Sequence, residues 1–181
     1  FGWVSFSAKQ KKQLLPNFPQ NKKIITYFST NDDEFEMLRD IFSWETWLNQ
    51  FDALESLIEI CEEIADIQLF IRLHPNLINK SKIDQEKWMS YAASRVKLIA
   101  PDDTYALMEA SDLVVTSGST IGIEAVYWGK PVVLLGPSYY RHLNACMQPR
   151  SNDELRKILN QKEYKVNSDL SLPFGYYYGT F

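Results

Sequence analysis

The stretch Asp112-Leu-Val-Val-Thr-Ser-Gly-Ser-Thr-Ile-Gly-Ile-Glu-Ala-Val-Tyr-Trp-Gly-Lys-Pro131 joins a short apolar run, a turn of small residues and a helix with one internal carboxylate. The β-branched run predicts a buried strand, and the turn leads into a helix whose first N–H groups favour an anion. Glu124 lies four residues beyond Thr120, so the two side chains share one helix face about 6 Å apart along the axis. A phosphate at the helix start would leave its ribose within reach of Glu124. The alternative is that Ser119 or Thr120 only caps the helix and that Glu124 is a solvated surface residue.

The composition is that of one ordinary globular domain, with 181 residues of which 45% are hydrophobic and 23% charged. A net charge of −4 argues against broad attraction to nucleic acid or anionic lipid, so we expect no nucleic-acid partner. No apolar run reaches the length of a membrane span, which predicts no transmembrane segment. Cys61 and Cys146 lack the spacing of a metal site or disulfide framework, so we expect structural thiols in a reducing, cytoplasmic compartment.

Apolar runs alternate with helical patterns along the chain. The predicted strands are residues 24–29, 67–73, 96–99, 112–116 and 131–135. The predicted helices are residues 44–65 with Ser43 as N-cap, 81–94, 103–110, 119–128 with Gly129 at C′, and 151–160 with a capping box. This alternation predicts an α/β fold, a Rossmann-like parallel sheet with helices on both faces.

Three segments follow from this pattern. Residues 21–163 form the predicted Rossmann-like domain. Residues 1–20 are expected to be a linker or the remnant of a preceding domain. The aromatic segment 164–181 is expected to be a tail that packs against a domain outside this chain. A start at Phe1 and an aromatic end are typical of a fragment of a longer protein.

The candidate site lies where the loops after the strands meet. In the usual strand order 3-2-1-4-5, the loops that follow Ser29 and Thr116 flank the switch in strand order, where ligands bind. The loop at residues 29–34, the pair His74-Pro75, the turn at 117–120 and the loop at 136–142 would then surround one crevice. His74 could donate a hydrogen bond to phosphate, and Arg141 or His142 could contact base or phosphates. The alternative for His74-Pro75 is a purely structural role at a strand end.

Other motifs argue against several classes of site. The chain has no Gly-x-Gly-x-x-Gly after a strand and no Walker A sequence, so a dinucleotide oxidoreductase or P-loop enzyme is disfavoured. Thr120 stands at the centre of what would be a nucleophile elbow, which disfavours a serine hydrolase. Asp102 and Asp103 are interpreted as a helix cap, and residues 32–34 as a solvated loop or helix start. We therefore expect no metal site.

A family resemblance accounts for these residues together. The sequence Ser117-Gly118-Ser119-Thr120, followed by Glu124-Ala125 and Gly129-Lys130-Pro131, resembles the donor-binding signature of the C-terminal domain of GT-B glycosyltransferases. The preceding residues 101–116 are similar to the segment that leads into it. Arg72-Leu-His-Pro75 resembles bacterial capsule polysaccharide transferases and polyol-phosphate polymerases. The resemblance covers residues 22–140.

The resemblance implies roles for single residues. His74, Ser117, Ser119 and Thr120 would contact the donor phosphate, and Glu124 the ribose hydroxyls. Pro75 and Gly118, which adjoin these residues, and Arg141, which the loop arrangement supplies, complete the candidate donor site. The donor would be a CMP-, CDP- or UDP-linked sugar, with no cofactor and no metal. The acceptor would be a glycan or a lipid-linked molecule at the inner membrane face. The catalytic base is expected in an N-terminal domain outside this chain, so this chain alone would bind donor without transferring sugar.

Two other functions stay open from the sequence. A sugar-nucleotide 2-epimerase shares the GT-B architecture and would use several carboxylates and histidines between its domains. Here only Glu124 is a convincing candidate for such a role. A non-enzymatic Rossmann-like interaction module would use the aromatic tail as its binding surface, and Glu124 would then have no role in binding.

Overall fold

The five predicted strands pair in parallel. The computed structural model describes residues 18–30, 43–91, 96–99 and 104–179. Within these ranges the sheet has the order β3-β2-β1-β4-β5, which confirms the predicted order. The strands are β1 Lys23–Phe28, β2 Ile67–Arg72, β3 Val96–Ile99, β4 Leu113–Thr116 and β5 Val132–Leu134.

The register brings the carboxyl ends of the strands level. Phe28 of β1 pairs with Arg72 of β2 on one side and with Thr116 of β4 on the other. Thr116 in turn pairs with Leu134 of β5. The loops that follow these strands therefore begin side by side at one edge of the sheet, and the switch in strand order lies between β1 and β4.

Helices cover both faces of the sheet, as the apolar pattern predicts. They are α1 Gln50–Glu63, α2 Lys82–Ser90, α3 Thr104–Ala110, α4 Ile121–Tyr127, α5 Asn152–Leu159 and α6 Leu172–Gly179. On one face α1 and α5 pack against Ile25, Tyr27 and Val115. On the other face α3 and α4 pack against Phe28, Val114 and Val132. Because side chains alternate along a strand, β1, β4 and β5 each supply both cores.

Helix α1 begins six residues later than predicted, at Gln50 rather than at residue 44, and its N-cap is Asn49 rather than Ser43. Asn49 Oδ1 accepts hydrogen bonds from the N–H groups of Phe51 at 2.9 Å and Asp52 at 3.0 Å, which fixes the helix start. Trp47 lies in the non-helical segment before α1 and is nevertheless buried. Its Nε1 donates to Ser56 Oγ and to Asn152 Oδ1. The apolar spacing thus extends beyond the helix on its N-terminal side, because the segment before the helix also packs against the core.

The other predicted helix boundaries hold more closely. Ser81 caps α2 through its Oγ, which accepts from Asp84 N at 3.2 Å, and α2 ends at Ser90. Ser151 caps α5 in the same way through Glu154 N at 3.2 Å. Residues 92–95, Asp102, Asp103 and the acidic run at 32–34 lie outside the described residues.

The segment after residue 163 contacts this domain, whereas the sequence predicts a tail that packs against a domain outside this chain. Tyr164 Oη donates to Ile158 O at 2.8 Å, and the Phe174 ring meets the Tyr140 ring edge to face with centroids 5.6 Å apart. A 3-10 helix, Ser168–Ser171, and α6 follow one another here. No helix within the described ranges combines the length and apolar character needed to cross a membrane.

Candidate functional site

The turn after β4 is held by the last residue of that strand. Thr116 is fully buried, and its Oγ1 donates to Phe28 O at 3.0 Å. The same oxygen accepts from Gly118 N at 3.3 Å and from Ser119 N at 3.1 Å. Two N–H groups of the predicted anion-binding turn are thus satisfied within the protein. The sequence predicts Thr116 only as a strand residue, because no local pattern signals that its hydroxyl holds the turn.

A buried polar network joins this turn to the loop after β1. Ser117 is 1% exposed, and its Oγ lies 2.7 Å from Tyr27 Oη. Tyr27 Oη also donates to Gln50 Oε1 at 3.3 Å. The Gln50 amide accepts from Thr30 N at 3.3 Å and donates to Thr30 O at 3.2 Å. The network crosses the switch in strand order, and its distant members Tyr27 and Gln50 give no local sequence signal.

Ser119 and Thr120 lie at the start of α4 without a strong cap. Thr120 is the N-cap residue by position, yet its side chain makes no capping hydrogen bond, and it is exposed. Ser119 Oγ accepts from Ile121 N at 3.4 Å, close to the limit for such a bond. The Ser119 carbonyl accepts from the buried Tyr140 hydroxyl at 2.5 Å. The structure therefore fixes the backbone of this turn while leaving the Thr120 side chain at the surface.

Glu124 is a half-buried carboxylate in the first turn of α4. Burial raises its pKa above the ordinary value, and hydrogen bonds from the Tyr105 and Thr120 hydroxyls oppose that rise. The Tyr105 hydroxyl donates to Glu124 Oε2 at 2.9 Å. Among the described residues no basic side chain forms an ion pair with Glu124. A carboxylate withdrawn from water without a cation is costly, so this site differs from a solvated surface glutamate.

The packing and backbone conformation around α4 explain why glycine occupies positions 122 and 129. A Cβ on Gly122 would collide with the Tyr140 hydroxyl and approach Thr116 Cγ2 to 3.0 Å, so a glycine lets Tyr140 reach the turn. Gly129 has φ 74°, which confirms its predicted C′ position. Lys130 Nζ donates to the carbonyls of Glu109 at 2.5 Å and Ser111 at 3.0 Å, just at and beyond the end of α3. In Gly129-Lys130-Pro131, the glycine and lysine thus serve the fold.

His74 follows β2 at the same edge of the sheet as the β4 turn. Its Nδ1 accepts from Asn76 N at 3.1 Å and caps a 3-10 helix, Pro75–Asn79, in which Pro75 is the first residue. In the neutral ring the proton therefore lies on Nε2. One strand, β1, separates β2 from β4, which corresponds to roughly 10 Å between the two strand ends. The structure thus places His74 and Ser119 at one edge, as predicted.

Arg141 lies in the loop after β5 and is held by two other segments. Its Nη2 pairs with Glu45 Oε2 at 2.6 Å, and its Nε donates to Gln148 Oε1 at 2.9 Å. The carboxylate of Glu45 thus offsets its charge. His142, the other basic candidate in this loop, is exposed. The predicted contact of Arg141 with base or phosphate stays a prediction.

Among the described residues, the buried hydroxyls of Ser29, Thr30 and Ser138 have no hydrogen-bond partner. Ser29 and Thr30 follow β1, and Ser138 lies in the loop after β5. Buried hydroxyl groups usually find a partner, because leaving one unpaired costs about 1–3 kcal/mol. All three follow strand ends, so unsatisfied polar atoms concentrate at the carboxyl edge.

The fold is similar to part of several larger solved structures. KpsC of Thermosulfurimonas dismutans, a beta Kdo 2,4 transferase, is 16% identical with a TM-score of 0.57, over 87% of this chain and 46% of KpsC. The UDP-GlcNAc 2-epimerase of Methanocaldococcus jannaschii, solved with UDP-GlcNAc and UDP, is 16% identical with a TM-score of 0.52, over 89% and 46%. The wall teichoic acid polymerase TagF is 17% identical with a TM-score of 0.52, over 91% and 40%.

These likenesses confirm the predicted fold, a Rossmann-like domain that forms one half of a GT-B fold. The chain spans less than half the length of each of these structures. A search of curated proteins found no match. Residues 17–163, most of the chain, match the sequence profile of a family described as capsule polysaccharide biosynthesis protein. This protein therefore belongs to the capsule polysaccharide biosynthesis protein family.

Proposed function

We propose that this chain is the sugar-nucleotide-binding half of a metal-independent glycosyltransferase that builds bacterial surface polysaccharide or glycoconjugate. The family supports polysaccharide synthesis as the process. Structures with the same fold include a transferase, a polymerase and an enzyme solved with UDP-GlcNAc. The family match favours a transferase over an epimerase for this chain.

The observation that carries the proposal is the position and environment of Glu124. It lies one turn beyond the β4 turn, is half-buried, and has hydroxyl groups rather than a cation as partners. Ribose 2′- and 3′-hydroxyls would donate to this carboxylate, and hydrogen bonds to a charged group contribute about 1.5–3 kcal/mol. A ribonucleotide would therefore add hydroxyl donors at the acceptor positions of this carboxylate that remain open.

The phosphates would lie at the carboxyl edge between the β4 turn and His74. Thr120 and Ser119 carry hydroxyls at this turn, and a neutral His74 carries its proton on Nε2. Ser117 and Gly118 are buried and engaged, so we assign them to shaping the turn. Pro75 sets the backbone after His74, and Arg141 holds the neighbouring loop. The donor is a CMP-, CDP- or UDP-linked sugar.

The acceptor site and catalytic base belong, in this proposal, to an N-terminal domain of the same protein. This chain would bind donor and would not transfer sugar alone, and the acceptor would be a glycan or lipid-linked molecule. Cys61 and Cys146 are both unpaired thiols, and burial raises the pKa of each to about 12, so neither is reactive. Unpaired thiols support a cytoplasmic location, at the inner membrane face where such an acceptor would be reached.

A thermal-shift screen of the chain against CMP, CDP, UDP, GDP and ADP tests the proposal. A pyrimidine nucleotide should raise the melting temperature, because a ligand at about 100 times its Kd adds about 2.7 kcal/mol of stability. Glu124→Gln should reduce the shift, whereas Glu59→Gln, an exposed residue of α1, should not. The absence of a shift with every nucleotide at millimolar concentration would contradict the proposal.

A further inference from the structure

We propose that Tyr105 is a positioning residue that orients the Glu124 carboxylate for ribose recognition. The inference rests on the proposed function and goes beyond it by assigning a role on α3, outside the residues that the donor-binding signature supplies. Side chains of α3 and α4 meet in one apolar cluster with Phe28 of β1 and Val114 of β4. The Tyr105 ring is half-buried against that apolar cluster, which fixes the position of its hydroxyl.

The geometry divides the two carboxylate oxygens. The Tyr105 hydroxyl donates to Oε2 of Glu124 at 2.9 Å. A carboxylate offers about four acceptor positions, and the Tyr105 and Thr120 hydroxyls use two of them, so two remain for the ribose hydroxyls. With one oxygen tied to α3, the other is held in a fixed direction, and less side-chain freedom is lost when ribose binds.

The charge of Glu124 depends on the same contact. Within the described part of the chain, the titratable groups that interact with it are Tyr105 from α3 and Tyr140 from the loop after β5, and both are neutral at pH 7. The only charged residue of the 3-10 helix Ser168–Ser171, which packs near α4, is Asp169, and it is exposed. Burial raises the pKa of Glu124 and the Tyr105 hydroxyl lowers it. Loss of that hydroxyl should therefore move ionisation of Glu124 to higher pH.

The test compares wild type, Tyr105→Phe and Tyr91→Phe by calorimetric titration with UDP and CDP and with their 2′-deoxy forms, across about pH 5.5 to 8. Tyr91 is a matched control because its hydroxyl also donates to a glutamate, Glu55, at 2.8 Å. A nucleotide and its 2′-deoxy form carry the same phosphates, so the effect of phosphate titration cancels in the ratio of the deoxy to the ribose Kd. Tyr105→Phe should lower this ratio about threefold to tenfold at pH 7. In Tyr105→Phe this ratio should begin to fall at a higher pH than in wild type when the pH is lowered.

Two backgrounds separate positioning from a general structural effect. In a Glu124→Gln chain, Tyr105→Phe should leave the ratio unchanged, and Tyr91→Phe should follow wild type in both backgrounds. A Tyr105→Phe chain with the wild-type ratio at every pH would overturn the inference while leaving the proposed function intact. A wild type that binds neither nucleotide would contradict both.

A measurement on wild type alone covers the case in which Tyr105→Phe does not fold. Carbon NMR can follow the Glu124 carboxyl and the ζ carbon of Tyr105 during a pH titration. Both signals should change at the same pH, above the ordinary glutamate range, and both should move when UDP or CDP is added. A Tyr105 signal that ignores the titration of Glu124 would overturn the inference.

Discussion

Glu124 is a carboxylate that the fold withdraws from water without a counterion among the described residues. Its position costs stability in the absence of ligand, and only hydroxyl donors offset that cost. Ionisable groups with a perturbed pKa cluster at functional sites, so this environment favours a role in ligand binding over a role in the fold. The pH dependence of stability should therefore reveal Glu124.

We predict that Glu124→Gln becomes more stable relative to wild type as the pH rises. The folded-state pKa of Glu124 is raised, so the stability associated with its protonated form is fully present below the ordinary pKa of 4.5 and is lost as pH rises through the folded value. Glutamine does not titrate. Urea unfolding between about pH 4.5 and about pH 8 measures the difference, with Glu59→Gln as the exposed control. A difference that does not change with pH would show that Glu124 is solvated.

The end of α4 shows how one element depends on a single backbone conformation. Gly129 N donates to Val126 O at 2.9 Å and Lys130 N to Ala125 O at 2.9 Å, the two bonds of a Schellman motif. The φ of 74° at Gly129 lies in the left-handed region. A Cβ there would meet no atom within 4 Å, so any penalty comes from the backbone alone.

Gly129→Ala should therefore destabilise the protein by about 1–2 kcal/mol, the cost of a left-handed residue with a side chain. Gly175→Ala is the matched control, because Gly175 lies inside α6 with equally open space and no positive φ. Alanine should stabilise that helix by about 0.5–1 kcal/mol. Chemical denaturation of both variants decides the matter, and equal effects of the same sign would argue against the Schellman account.

Lys23 links β1 to the end of α5 and to the segment that follows. Its Nζ donates to Leu159 O at 2.8 Å, to Gln161 O at 2.6 Å and to Tyr164 Oη at 2.5 Å. The first two acceptors are carbonyls at and just beyond the helix C-terminus, where a cation is favoured. Burial lowers the pKa of Lys23, and the carboxylate of Asp112 opposes that shift.

Lys23→Met should cost about 1–3 kcal/mol, because it leaves the partly buried Leu159 carbonyl without this donor. Lys162→Met, at an exposed position nearby, should change the free energy of unfolding by less than about 0.5 kcal/mol. Hydrogen exchange should show faster opening at the α5 terminus in the Lys23 variant. Unchanged protection there would show that the three bonds contribute little.

At the scale of the molecule, the sequence predicts what depends on local pattern. The strand order, the parallel pairing and the helices on both faces follow from apolar runs, and Gly129 at C′ follows from its place after a helix. The predicted start of α1 at residue 44 is wrong, because Trp47 packs against the core from outside the helix. Apolar spacing reports burial, and burial is not confined to regular elements.

The parts of the site that the sequence missed depend on contacts between distant residues. Tyr27 and Ser117 are 90 positions apart, and Tyr105 and Glu124 lie on different helices. Which tyrosine meets which partner is set by how helices pack on the sheet, and no local motif encodes that. The candidate edge was predictable from topology; the network that fixes its loops was not.

Calorimetric titration of wild type and Glu124→Gln with CDP, UDP and their 2′-deoxy forms tests most directly whether Glu124 binds a ribose. Wild type should prefer the ribonucleotide, and Glu124→Gln should weaken ribonucleotide binding by about 1.5–3 kcal/mol and lose much of that preference. The fold should survive the change, since Glu124 has no cation to leave unpaired among the described residues. Equal affinities in wild type and variant for ribose and deoxyribose forms alike would contradict the account.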